Sequence, residues 1–146
     1  MFNHVGLCVT DLERSRRFYE QALGFRYWYE LADLPEEESA RLLGLDTPLG
    51  LKAVYLVLDG FVLELLAYHP DRNEPWRRRS MAEPGLTHIS VSVPDIDAAM
   101  AGAVEHGGQA LPETNQGPAA MIRDPDGQLI ELLDDGWRDT LPPLPA

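Results

Sequence analysis

The chain has 146 residues, 45% of them apolar, and a formal net charge of −12. That is enough for a buried core and too apolar for a disordered chain, while a field of this sign repels nucleic acid and anionic membranes. No apolar run approaches the ~20 residues of a membrane span, the opening Met1-Phe2-Asn3-His4 reads as no secretory signal, and the single cysteine, Cys8, excludes an intramolecular disulfide and a cysteine-rich zinc site. One reduced thiol fits a cytoplasmic setting.

Taken in chain order, a strand is expected over 2–9, where Val5, Leu7 and Val9 alternate with His4, Gly6 and Cys8. A helix follows over 11–23, with Asp11 as N-cap, Leu12, Phe18, Tyr19 and Leu23 as its apolar side, and Gly24 as its stop. A strand at 25–32 leads to an inserted helix. Pro35 with Glu36, Glu37 and Glu38 is a good start, Leu42, Leu43 and Leu45 are its expected buried side, and Gly44 is its stop. Strands at 51–58 and 61–68 are joined by the turn signal Asp59-Gly60. After a linker at 69–85, with Pro70, Pro75 and Pro84, the pattern begins again. It gives a strand at 86–93, a helix at 95–106 capped by Asp95, and strands at 109–113, 118–123 and 128–134, the last two joined at Asp126-Gly127. The tail from Trp137, ending Pro142-Pro143-Leu144-Pro145, reads as an extended arm.

The recurrence is an internal repeat. Asn3-His4-Val5-Gly6-Leu7-Cys8-Val9-Thr10-Asp11 matches Thr87-His88-Ile89-Ser90-Val91-Ser92-Val93-Pro94-Asp95, and Gly60-Phe61-Val62-Leu63-Glu64-Leu65-Leu66 matches Gly127-Gln128-Leu129-Ile130-Glu131-Leu132-Leu133. The expected architecture is therefore α+β, one domain over 1–146 made of two tandem βαβββ modules. Module one spans 2–68, module two 86–135, and the arm 136–146. The first copy is longer between its histidine and its glutamate by about 17 residues, which the segment from Leu34 to Gly50 supplies.

Strand side chains alternate between faces. In both copies the histidine lies opposite the aliphatic face, among small or polar residues, as a cavity lining would. Glu64 and Glu131 sit inside apolar strands, where an unpartnered carboxylate costs several kcal/mol or shifts its pKa. Two imidazoles and two carboxylates at matched repeat positions, His4, Glu64, His88 and Glu131, suit one divalent ion: Zn, Ni, Co, Mn or Fe. Such a shell leaves positions open for substrate. The other motifs are weaker. His106 reads as a helix C-terminal cation and His69 as a loop residue. Arg77-Arg78-Arg79 reads as a solvated loop, with a carboxylate or phosphate clamp as its sharper alternative.

On these motifs the chain resembles the vicinal oxygen chelate superfamily, which includes glyoxalase I, methylmalonyl-CoA epimerase, extradiol dioxygenases and the fosfomycin and bleomycin resistance proteins. The stretches that carry the resemblance are NHVGLCVTDLERSRRFYEQALGF, FVLELLAYHP, THISVSVPDID and RDPDGQLIELLD, within residues 2–135. The resemblance implies two modules curled into a half-open barrel around a metal, with His4, Glu64, His88 and Glu131 as ligands, and a homodimer. In ligand set the nearest members are bacterial-type glyoxalase I and the epimerases. The implied activity is a lyase or isomerase acting on a small oxygen-rich substrate through a metal-stabilised enediolate or enolate, with Glu131 or Glu64 as the base and Tyr68 lining the pocket. The helix near 35–44 is a candidate lid. Two alternatives stand beside it: an Fe(II) extradiol dioxygenase, for which Glu64 is one carboxylate too many, and a non-catalytic ligand-binding or resistance protein. Glyoxalase I holds glutathione through a first-strand arginine and an asparagine just after the first glutamate. Cys8 and Tyr68 stand in those places here, which argues against glutathione.

Overall fold

A computed structural model describes residues 3–31, 33–74, 77–78 and 80–143. Phe2 and Ala32 of the expected strands, Pro75 of the linker, Arg79 of the arginine run and the closing Leu144-Pro145 lie outside the described residues. The chain forms two compact units, one of residues 1–20 and 24–76, the other of 21–23 and 77–146.

In the first unit β1 (Val5–Cys8) leads to α1 (Leu12–Leu23), β2 (Arg26–Leu31), α2 (Glu36–Leu43), β3 (Lys52–Leu58) and β4 (Phe61–Ala67). The sheet order is β1-β4-β3-β2, with β1 parallel to β4 and the other pairs antiparallel. Asp11 caps α1 by accepting the Arg14 N–H at 3.0 Å. Gly24 ends the helix at φ +74°, a conformation that suits a residue without a Cβ. From α1 a run of edge-to-face rings, Phe18, Tyr19, Phe25 and Phe61, reaches the start of β4, with successive centroids 5.3, 5.6 and 6.4 Å apart. Asp59 and Gly60 both take positive φ, as the two-residue turn between β3 and β4 requires.

The second unit repeats the plan without the insertion. β5 (Ile89–Val93), α3 (Ile96–Glu105), β6 (Gln109–Leu111), β7 (Ala119–Arg123) and β8 (Leu129–Asp134) form a sheet of order β5-β8-β7-β6. Again the first strand is parallel to the last. Asp95 caps α3 through the Ala98 N–H at 2.9 Å, and His106 closes it. The chain therefore carries two βαβββ modules, as expected.

Several expectations are corrected. Leu42, Leu43 and Leu45 are not the buried side of α2; they are 86%, 40% and 42% exposed. The buried residue is Ala40. Leu42 lies about 200° round the helix from it at 100° per residue, and Leu45 lies past the helix end. Glu36 settles the orientation by accepting the Leu49 N–H, and Leu49 is fully buried. The expected arm does not begin extended: Trp137–Thr140 belong to a 3-10 helix, Asp135–Thr140, and the backbone turns extended at Leu141. The Asp126-Gly127 signal marks a longer loop than a two-residue turn. Buried Asp124 organises it, accepting the Asp126 and Gln128 N–H groups on Oδ1 at 2.9 and 2.8 Å. Asp124→Ala leaves both donors without that acceptor. It is expected to cost about 3 kcal/mol in urea denaturation, where an ordinary surface change costs within about 0.5 kcal/mol.

Candidate functional site

His4 stands one residue before β1, and Glu64 lies mid-way along β4. The ladders set Gly6 beside Glu64 and Cys8 beside Leu66, Tyr55 beside Glu64 from the other flank, and Tyr29 beside Tyr55. One face of the sheet thus carries His4, Glu64, Tyr55 and Tyr29. His4 Nε2 lies 3.1 Å from Glu64 Oε2. The Tyr55 hydroxyl donates to Glu64 Oε1. The Tyr29 ring stacks on Tyr55 with centroids 4.4 Å apart and planes 6° from parallel, and the His4 ring meets Tyr55 edge-on at 5.5 Å. The Glu64 side chain is only 12% exposed, and both its oxygens are engaged. Burial, then the hydrogen bond from Tyr55 to Glu64 and the carboxylate charge, push the Tyr55 phenol well above its ordinary value.

The second unit builds the same pair differently. His88 stands one residue before β5, and Glu131 sits in β8 between Ser90 and Met121. His88 Nε2 lies 3.6 Å from Glu131 Oε2, and the Ser90 hydroxyl donates to that same oxygen at 2.8 Å. Among the described residues Glu131 Oε1 makes no hydrogen bond. Gly6 replaces Ser90 and Tyr55 replaces Met121 in the first repeat, so the donor to the glutamate comes from opposite flanks in the two halves.

Both histidines are held from behind. Asn3 Oδ1 contacts His4 Nδ1 at 2.7 Å, and Thr87 Oγ1 contacts His88 Nδ1 at 2.9 Å. A carboxamide oxygen only accepts, so the neutral His4 ring carries its proton on Nδ1. Its Nε2 then presents a lone pair to a carboxylate. Two acceptors at 3.1 Å need a proton or a metal cation between them, and an imidazole oriented through its far nitrogen is how metal-ligating histidines are held. The donor chemistry therefore fits a divalent ion. Within each unit, among the described residues, the pair stands by itself: no group of three or more His, Cys, Asp or Glu comes together there.

A cleft of about 730 Å³ opens in the first unit, walled by Cys8, Leu45, Pro48 and Tyr68, with His69, Asp71 and Arg72 among its polar rim. Tyr68 follows β4 directly, on the face of Glu64. Its phenol is raised by burial first, then by Cys8 and Glu64. The wall is pinned by backbone. His69 N–H donates to the Leu49 carbonyl at 2.8 Å, and the Arg72 guanidinium reaches the carbonyls of Pro48, at 2.6 Å, and Asp46. Gly50 lets the strands close here: its φ is +57°, and a Cβ would stand 3.2 Å from His69 Cβ. His69 is exposed and caps a 3-10 helix at Pro70–Arg72, while Arg77 is exposed and pairs with Glu83 at 3.1 Å.

The family model described as the glyoxalase/bleomycin resistance protein/dioxygenase superfamily matches residues 1–132. The chain belongs to this superfamily. Within the superfamily it is 30% identical to a lactoylglutathione lyase of Pseudomonas putida, over 91% of this chain and 84% of that protein. It is also 30% identical to glyoxalase I of Saccharomyces cerevisiae, over 92% of this chain but only 43% of that longer protein. Among solved structures, a glyoxalase-family protein of Bacillus cereus has a TM-score of 0.77 at 21% identity, covering 91% of this chain and 92% of that one. The Leishmania major glyoxalase I, described as trypanothione-dependent, has a TM-score of 0.68 at 26% identity, covering 93% and 87%. Among the described residues no helix is long and apolar enough to cross a membrane.

Proposed function

We propose that the chain is a divalent-metal-dependent, glyoxalase-like lyase or isomerase acting on a small oxygen-rich substrate, with His4, Glu64, His88 and Glu131 as the metal ligands. The observation that carries this is the repeated His–Glu pair, each imidazole held from behind with Nε2 facing a carboxylate. The glyoxalase I and lactoylglutathione lyase relatives support an enzyme of this kind. The proposal requires the two pairs to serve a single ion, and a cytoplasmic homodimer is part of the same reading.

An ion held there supplies a Lewis acid that polarises a substrate carbonyl and steadies the negative charge left when an α-proton departs. The chain supplies the proton transfer. Glu64 has both oxygens committed, one to the Tyr55 hydroxyl and one towards His4, so it is the fixed ligand. Glu131 makes both of its contacts through Oε2, and Oε1 would take a proton and return it to the neighbouring carbon or the opposite face. Tyr68 lines the approach on the same face as Glu64.

The test is to strip the purified protein with chelator and reload it separately with Zn, Ni, Co, Mn and Fe(II). Each form is then assayed with hemithioacetals, acyl-CoA thioesters and catechols. About one ion per chain is expected, with activity restored by metal and both lost in His88→Ala. Unchanged ligand binding without metal, and no metal uptake, would turn the reading towards a non-catalytic binder; oxygen uptake with catechols on iron would turn it towards a dioxygenase.

A further inference from the structure

We infer that the cleft beside Cys8 and Tyr68 receives the non-reacting end of the substrate, and that it selects an uncharged, apolar group over one bearing a carboxylate or phosphate. The inference rests on the proposed function for the word substrate; the chemical preference stands on the cleft alone.

Position comes first. Cys8 and Tyr68 lie on the sheet face that carries His4 and Glu64. Tyr68 is four residues beyond Glu64, about 13 Å along an extended strand. A substrate whose oxygens sit at Glu64 would therefore lay a tail of several bonds against the Tyr68 ring. That the phenol responds to Glu64 as well as to Cys8 places all three groups in one electrostatic neighbourhood.

Charge comes second. Among the described residues Arg72 is the only arginine or lysine lining the cleft. The guanidinium edge that clamps a carboxylate side-on, Nε with Nη2, is spent on the carbonyls of Pro48 and Asp46. Asp71 and Glu74 share the rim, and His69 Nδ1 is turned to Asp71, 3.5 Å from its Oδ2. An anion entering here would lose water, meet two carboxylates and find the side-on fork of Arg72 already occupied. The side walls offer it a thiol, a leucine, a proline and an aromatic ring. Those surfaces instead gain from covering an alkyl or aryl group, because apolar area leaves water.

Cys8 supplies a reporter, because it is the only cysteine and is exposed in the cleft. The experiment follows the rate at which uncharged 4,4′-dithiodipyridine modifies Cys8 in the full-length protein, with 4-phenylbutanol or 4-phenylbutyrate as competitor. The two competitors differ by a carboxylate. 4-Phenylbutanol is expected to slow the reaction about tenfold near saturation, and 4-phenylbutyrate is expected to slow it much less. Asp71→Asn with Glu74→Gln should narrow the difference. In a Cys8→Ser/Glu105→Cys variant, with the thiol moved to α3, neither competitor should protect. Equal protection by the two compounds, stronger protection by the carboxylate, or no protection by either overturns the inference. The assay needs neither metal nor turnover. Selective protection in a protein that binds no metal would therefore keep the cleft's preference while ending the proposed function.

Discussion

Glu131→Gln is expected to lower kcat by about 10²–10⁴-fold while leaving about one metal ion bound at saturating concentration. Glutamine keeps a carbonyl oxygen that can ligate, and it keeps nearly the same shape, but it has no basic oxygen to take a proton. The expectation comes from how the two carboxylates are held. In Glu131 both contacts converge on Oε2, the Ser90 hydroxyl at 2.8 Å and His88 Nε2 at 3.6 Å. In Glu64 the contacts are divided between the two oxygens. A carboxylate tied at one oxygen can swing the other towards a substrate carbon; one tied at both cannot without breaking a hydrogen bond. Glu64→Gln is accordingly expected to weaken metal binding and to retain more of kcat once metal is saturating. Stopped-flow turnover with metal content measured on the same samples separates the two. If Glu64→Gln abolishes turnover and Glu131→Gln does not, the roles are the reverse of those proposed.

The sequence made the scaffold legible because its signals are local. Asp11 and Asp95 at the helix starts, Gly24 and Gly44 at the helix ends, and Asp59-Gly60 at the tight turn each depend on neighbours a few residues away. The two His–Glu pairs were legible because the chain says the same thing twice. What stayed hidden depends on register. Tyr55 lies in Lys52–Leu58, a strand of otherwise mostly aliphatic residues, and reads as core. That it faces Glu64 follows only from the β3–β4 ladder. Aligning the repeats would have offered a clue, since Met121 holds the corresponding place in the second half and cannot donate. Asn3 and Thr87, directly before the histidines, were also visible as residues and not as supports. The exposed leucines of α2 show the opposite limit. Three leucines suggest a buried side, but one small alanine and a glutamate reaching the Leu49 backbone decide which side faces in.

Tyr55→Phe should then act through Glu64 and not on the substrate. The ring and its stack with Tyr29 survive the change, so packing is kept and only the hydroxyl is lost. Glu64 Oε1 is left without its donor in a mostly buried position, and the carboxylate gains freedom to rotate. Removing a group that orients a ligand in this way costs about 10–100-fold in metal affinity, read by chelator competition. At saturating metal, kcat should fall less than in Glu131→Gln, with KM little changed, because the phenol is not proposed to touch substrate. A second signature is open to the metal-free protein. Burial, then the Glu64 bond and charge, raise the phenol of the folded chain above that of the unfolded one. The unfolded chain therefore loses this proton first as pH climbs past the ordinary tyrosine value near ~10. From that point the folded state binds more protons, and stability falls with rising pH. Tyr55→Phe should flatten the fall, leaving a shallower alkaline slope in denaturation midpoints measured at successive pH values. An unchanged slope together with unchanged metal affinity would mean that the Tyr55 hydroxyl does not hold Glu64, and the distinction drawn between the two glutamates would lose its physical basis.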